Sequence, residues 1–192
     1  MRTRKNPEER KKEILDAAMN LFYKNGYEST SMTDVANSMN ITKGLIYNYF
    51  PSKDKLYEEA LSNFINEITD EYVSVFDLHS DSLIDALEKT SDVLNSKKTS
   101  PFYQFYRKPG NELVYQQVMI KLLSKLIDPL TTKVTPLIKE AGYKISDPKT
   151  FIEFIMFGQI EIFKDPESAS EKKEQIRHYI LSLIEISSTK QL

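Results

Sequence analysis

The chain has 192 residues, 40% of them hydrophobic and 28% charged, which is enough apolar material for a core of its own. It has no cysteine, which excludes a disulfide framework and a thiolate metal site. No apolar run approaches the length of a membrane span and the N-terminus MRTRKNPEERKKEIL leads into no signal-peptide core, so no membrane partner and a reducing cytoplasm are expected.

A net charge of −2 does not mark a nucleic-acid binder, but its distribution is uneven. Residues 1–12 carry Arg2, Arg4, Lys5, Arg10, Lys11 and Lys12 against Glu8 and Glu9. A basic arm on a near-neutral head suits contact with a polyanion at one end, and equally suits a solvated tail.

Only five glycines occur and no strand-like alternation is sustained, so the expected fold is all-α. Pro7 opens a first helix with Ile14, Ala17, Ala18, Leu21 and Phe22 on its apolar face, and Gly26 stops it. Ser31 to Asp34 reads as a capping box and starts a second helix reaching about Met39. Asn40 suits the tight break that follows, because asparagine tolerates the left-handed backbone region. Thr42 caps a third helix to about Phe50, and Ser52 caps a long fourth helix to about Phe76. Two short helices joined by a turn of this length make a helix-turn-helix, with the first helix packed across them. Within the third helix Leu45, Ile46, Tyr49 and Phe50 cannot all face one way, so some are exposed.

The remainder reads as a helical bundle. An amphipathic helix is expected from Asp81 to Asn95, and SPFYQFYRKPG as a short aromatic turn or helix. Asn111 to about Ala141 is helical with kinks or breaks at Pro129 and Pro136, and Gly142 stops it. Asp147-Pro148 starts a helix to about Phe163, and Ser170 starts the last one, to about Ile186.

Residues 14–36, ILDAAMNLFYKNGYESTSMTDVA, and 40–56, NITKGLIYNYFPSKDKL, resemble the DNA-binding domain of the tetracycline-repressor (TetR) family of bacterial transcriptional regulators. The shared order is an apolar helix ending in Phe-x-x-x-Gly-Tyr and a Thr-Ser pair. A short helix ending in Ala, a polar-capped helix with Gly and Tyr, and an opening Lys follow. Met39-Asn40 stands where the family usually has Ala-Gly, and Asn48 falls at a variable position. The resemblance covers about a quarter of the chain. It implies an N-terminal three-helix DNA-binding domain, residues 1–51. A long helix would join this to a divergent helical ligand-binding and dimerisation domain, residues 52–192.

Candidate DNA contacts follow residue by residue. Thr42 at a helix N-terminus offers its hydroxyl and N–H to a phosphate, or acts only as a cap. Gly44 permits close approach to the groove. Lys43 and Asn48 suit base edges, guanine and adenine respectively, or remain solvated surface. Tyr47 suits a phosphate or a thymine methyl, and Tyr49 a phosphate, though one of the two belongs to the core. Ser31 and Thr33 suit the DNA backbone, and the resemblance implies that Lys53 contacts a phosphate. Arg2, Arg4 and Lys5 suit a minor groove.

The run FIEFIMFGQIEIF is apolar on nearly all sides and must be covered on more than one face. The resemblance implies that the last two helices form a dimer interface, which points to Phe151, Ile155, Gly158, Ile162, Ile176, Ile180 and Leu183. Tyr72, Phe76, Phe102, Tyr103, Phe105, Tyr106, Tyr115, Phe151 and Phe154, with Gln116 and Gln117 nearby, suit either the core or a cavity for an apolar or aromatic small molecule. No phosphate loop, metal-ligand cluster or nucleophile elbow occurs, and His79 and His178 lie far apart. The expected function is therefore not enzymatic and uses no cofactor. It is a homodimeric repressor of double-stranded operator DNA released by a small-molecule effector. The alternative is a helical DNA-binding regulator controlled by a protein partner.

Overall fold

The computed structural model describes residues 6–77, 93, 96–158 and 172–188, and all regular structure among them is helical. The chain falls into two compact units, Met1–Glu67 with Lys97–Val114, and Ile68–Ser96 with Tyr115–Leu192. The first unit thus reaches beyond the boundary expected at residue 51 and takes in a second segment of the chain.

In the first unit α1 spans Pro7–Asn25. The Asn6 side chain accepts from the Glu8 N–H at 3.1 Å, and Pro7 supplies a preset φ at the first helical position. Gly26 ends the helix at φ 91°, a conformation costly to other residues, and donates its N–H to Phe22 O at 2.9 Å. The buried face is Ile14, Leu15, Ala18, Met19 and Phe22, while Ala17 and Leu21 are only half-buried. The stripe is therefore rotated from the expected one. Helix α2 spans Met32–Ser38 behind a complete capping box, and α3 spans Lys43–Tyr49 behind Thr42. Asn40 between them takes φ 52°, and Ile41 N–H closes the turn on Ala36 O at 3.1 Å.

Helix α4 spans Lys53–Asp77, and Ser52 Oγ accepts from Lys55 N–H at 3.1 Å at its start. The helix α5, Pro101–Tyr106, explains the extra segment. Its Phe102, Phe105 and Tyr106 are buried. Phe102 lies 4.9 Å from Phe64 and Phe105 lies 6.0 Å from Phe22, ring centre to ring centre. Five buried rings, Phe22 of α1, Phe64 of α4 and Phe102, Phe105 and Tyr106 of α5, make one apolar cluster, and aromatic pairs at these separations add to simple area burial.

In the second unit α6, Glu112–Glu140, begins just before the boundary and supplies the longest buried stripe. Tyr115, Val118, Met119, Leu122, Leu123, Leu126, Ile127 and Leu130 repeat at helical spacing. Pro129 and Pro136 do not break it. Each removes one backbone donor, a loss of about 3 kcal/mol, but Leu126, Ile127, Leu130 and Ile138 are buried on either side and the helix continues through both. Gly142 then stops the chain at φ 87°. Helices α7, Pro148–Gly158, and α8, Lys173–Ser188, pack through Phe151 and Ile180 around the buried pair Ile138 and Ile184. The expected Asp81–Asn95 helix, apart from residue 93, lies outside the described residues. So do His79, Ile162, Ser170, the end at Phe163, and Arg2, Arg4 and Lys5. No described helix is long and apolar enough to cross a membrane.

Candidate nucleic-acid interface and apolar cavity

The two short helices of the first unit hold one face inward and one outward. Met32, Val35 and Ala36 of α2 are buried, as are Ile46 of α3 and Phe50 just beyond it. Burying these five apolar side chains fixes how α3 sits, and so fixes what it shows to solvent. The outward face carries Lys43, Gly44, Tyr47 and Asn48, all exposed, with Tyr47 at 43% exposure. These positions span two turns of one helical face. Tyr49 and Leu45 are half-buried, which makes Tyr49 the tyrosine turned toward the core. Lys43 Nζ lies 5.5 Å from the Tyr47 ring centre, close enough for the ring to steady the cation.

Gly44 is not imposed by packing. A Cβ built there meets no atom within 4 Å, and its φ is not positive. A helical glycine costs about 1 kcal/mol relative to alanine. Nothing inside the protein requires it, so the bare backbone on the exposed face is a surface feature.

The helix starts are tied locally. Ser31 Oγ accepts from Asp34 N–H at 3.2 Å and donates to Asp34 Oδ2 at 2.7 Å, and Ser31 N–H donates to the same oxygen at 2.8 Å. The Ser31 hydroxyl, and then its N–H, hold the Asp34 carboxyl below its ordinary range. Ser31 is thus committed to its cap. Thr33 is exposed beside it. Thr42 Oγ1 accepts from Leu45 N–H at 3.3 Å and keeps its own proton for an outside acceptor.

Lys53 has a different position from the free cation that the motif implies. Its Nζ donates to Tyr27 O at 2.8 Å and to Glu28 O at 3.5 Å, and sits 4.2 Å from the Tyr27 ring centre. Tyr27 Oη donates to Asp54 at the start of α4. Burial, and then this bond, push the Tyr27 hydroxyl pKa up. Lys53 and Asp54 therefore clamp the chain between α1 and α2 to the first turn of α4. Thr30 adds to this, its hydroxyl donating to Gly26 O at 2.9 Å.

A separate feature lies within the second unit. An apolar cavity open to the centre of a water-sized sphere over about 80 Å³ is lined by Tyr72 and Phe76 of α4 and by Leu130, Val134 and Ile138 of α6. Helix α7 adds Phe151, Ile152, Ile155 and Met156, and α8 adds Ile180 and Ile184. Of the expected cavity aromatics, Tyr72, Phe76 and Phe151 line it. Phe102, Phe105 and Tyr106 are instead core of the first unit, where Phe102 stacks on Phe64, Tyr106 meets Phe64 edge-on and Phe105 packs against Phe22. Tyr103 packs against Tyr106 there, at 5.2 Å. Tyr115 is buried along α6 away from this cavity, and Phe154 is 67% exposed. Gln116 and Gln117 are exposed. An expectation built on aromatics misses the aliphatic wall, although Leu130, Val134 and Ile138 recur every fourth residue.

The interface residues expected on α7 and α8 divide in the same way. Phe151, Ile155 and Ile180 face the cavity, Ile176 and Leu183 are half-buried, and Gly158 is exposed. The large exposed apolar groups on these helices are Phe154, Phe157, Tyr179 and Ile186, at 67%, 38%, 55% and 60%.

A family model described as "Bacterial regulatory proteins, tetR family" matches residues 14–60, the stretch that forms α1, α2, α3 and the start of α4. Residues 14–60 thus match the DNA-binding segment of the TetR family, about a quarter of the chain. The HTH-type transcriptional repressor KstR2 of Mycolicibacterium smegmatis is 32% identical over 39% of this chain and 37% of its own length. The chain thus matches well under half the length of that repressor. The uncharacterized HTH-type transcriptional regulator YhgD of Bacillus subtilis is 27% identical over 73% of this chain and 75% of its own. Salmonella enterica GusR has the same fold, with a TM-score of 0.70 at 19% identity over 94% of this chain and 98% of that one. The matched stretch contains α2 and α3, two short helices joined by a tight turn, and α3 is the one that carries the exposed Lys43, Gly44, Tyr47 and Asn48.

Proposed function

We propose that this chain is a ligand-responsive transcriptional repressor that binds an inverted-repeat operator as a homodimer and lets go of it when a small apolar molecule occupies the second unit. The carrying observation is the exposed face of α3, where Lys43, Gly44, Tyr47 and Asn48 stand together above a buried Ile46 and Phe50. Lys43 and Asn48 read base edges. Gly44 admits the helix to the major groove. Tyr47, Thr42 and Thr33 meet the sugar-phosphate backbone, with Tyr49 at its edge, while Ser31 and Lys53 hold the helix starts in place behind them. Phosphate contacts give affinity, and the two base-edge residues give preference.

One head of this size makes few contacts, so two are needed. The exposed Phe154, Phe157, Tyr179 and Ile186 support a pairing surface on α7 and α8, and a two-fold axis there calls for half-sites about one helical turn apart or somewhat more. Helix α4 supports the coupling, since its first residue is Lys53 and its last turns carry Tyr72 and Phe76.

The test is titration of the purified protein against DNA from upstream of its own gene, followed by small-molecule challenge. Salt-sensitive binding to an inverted repeat, tighter than to shuffled DNA by about 1,000-fold or more, is the expected result. Equal affinity for both would overturn sequence-specific regulation. Operator binding that no apolar compound releases, but that a protein from the same cell does, would favour control by a partner.

A further inference from the structure

The cavity of the second unit has an unusual wall for a regulatory pocket. Small-molecule sites ordinarily combine apolar walls with a few placed polar groups. Here the surface facing the cavity is almost wholly carbon, and no lining residue is charged. The one hydroxyl among the lining side chains belongs to Tyr72, which lends the wall its ring rather than its oxygen. Burial pushes the pKa of that hydroxyl up to about 12, so it carries no charge near neutral pH. A ligand placing a hydroxyl or carboxylate here gives up its bonds to water and gains nothing in return.

The size is also bounded. One water centre needs about 10–15 Å³ on this measure, so about 80 Å³ holds about five to eight waters, or roughly 150–240 Å³ of liquid volume. An apolar cavity of about 150 Å³ is known to hold a benzene ring and to stay dry otherwise.

We infer that this cavity takes a bare hydrocarbon group of about ten non-hydrogen atoms or fewer, either a free aromatic or aliphatic molecule or the buried end of a longer amphiphile. This rests on the ligand-responsive reading above and sharpens it to a chemical class. Four helices contribute to the wall. Met156 supplies an adaptable thioether that fits itself to a ring or a chain.

The experiment uses the full chain without DNA and three probes of one shape: toluene, p-cresol and benzoate. Binding is followed through the methyl resonance of Met156, with Met19 and Met32 of the first unit as internal controls. Toluene is expected to shift Met156 and leave the other two unmoved. p-Cresol is expected to bind about ten-fold or more weakly, and benzoate not at all in the same range. Ile155→Trp fills the space and abolishes the shift, and the milder Val134→Leu weakens it if the tryptophan variant does not fold. Octanoate separates the two sources of the group. If it binds, the site takes the tail of an amphiphile with its carboxylate left in water; if only toluene binds, it takes a compact free molecule. Toluene binding with no change in operator affinity would keep this inference and sink the ligand-responsive reading. p-Cresol or benzoate binding as tightly as toluene, a shift at Met19 rather than Met156, or no binding of toluene or octanoate at millimolar concentration would overturn the inference.

Discussion

Gly44→Ala is expected to make the protein more stable and worse at binding DNA. The two signs have separate origins. In α3 the glycine sits at ordinary helical φ on an exposed face, and a Cβ there meets nothing within 4 Å. Alanine therefore introduces no clash and removes backbone freedom from the unfolded chain, a gain of about 0.5–1 kcal/mol. For a unit of this size, that corresponds to a rise of roughly 2–8 °C in melting temperature. The DNA side runs the other way. A methyl pressed into a closely packed groove contact costs about 1–3 kcal/mol, or about 5- to 150-fold in affinity for one head. Differential scanning calorimetry and anisotropy titration on the same preparation read both numbers. A variant that is stabilised yet binds operator as tightly as the parent would show that α3 does not approach DNA through Gly44. A destabilised variant would refute the claim that the site is sterically open.

Lys43→Ala and Asn48→Ala are each expected to relax preference at one position per half-site by about 1–3 kcal/mol, read by competition with single-base variants of the operator. Equal loss on random DNA would reassign them to the backbone. Phe154→Glu with Phe157→Glu should give monomers by light scattering and weaken full-operator binding by about 100-fold or more, with half-site binding unchanged. A double variant that stays dimeric moves the interface elsewhere. Lys53→Met should lower both stability and operator affinity while leaving the salt slope unchanged, because its ammonium is spent on Tyr27 O and Glu28 O. A slope lower by about one per subunit would instead give Lys53 a phosphate. Carboxyl NMR should find Asp34 titrating below 3.8, returning upward in Ser31→Ala. Because the folded pKa is depressed, the capping contribution is present above the unfolded value and is lost as pH falls through the folded one.

The N-terminal helices were legible because local chemistry decides them. Pro7, Gly26, the Ser31–Asp34 box, Asn40 and Thr42 each act within a few residues of themselves, and each is found in the geometry its side chain favours. The expectation that some of Leu45, Ile46, Tyr49 and Phe50 are exposed fails. Ile46 and Phe50 are buried, Leu45 and Tyr49 half-buried, and the ring left outside is Tyr47, because the four share the inward side of the helix and the residue just past its end. The aromatic segment around α5 was not legible either. Its composition says only that it is apolar, and whether Phe102 lines a cavity or stacks on Phe64 depends on residues far away in sequence. The same holds for α7, which is apolar all round, so periodicity cannot say that Phe151 and Ile155 turn inward while Phe154 turns out. Proline reads as a helix breaker locally, and burial along α6 overrides it at Pro129 and Pro136.

Lys53 and Tyr72 belong to one continuous helix, and that fact constrains any account of release. A ligand shifts a conformational equilibrium only by the difference in its affinity for the two states. A hydrocarbon group contributes through apolar area and shape alone, so its leverage lies in the positions of Tyr72 and Phe76 when the cavity is filled or empty. At the other end of α4, Lys53 and Asp54 hold the chain that leads into α2, through Tyr27 O, Glu28 O and the Tyr27 hydroxyl. Movement of the helix start would therefore carry the turn before α2 with it rather than slide past. In Tyr27→Phe the Asp54 link is gone and the lysine remains, so the coupling should weaken while the cavity is untouched. The decisive measurement is the ratio of operator affinities with and without saturating toluene. A smaller ratio in Tyr27→Phe at unchanged toluene affinity supports transmission through the clamp, and an unchanged ratio places transmission elsewhere along α4.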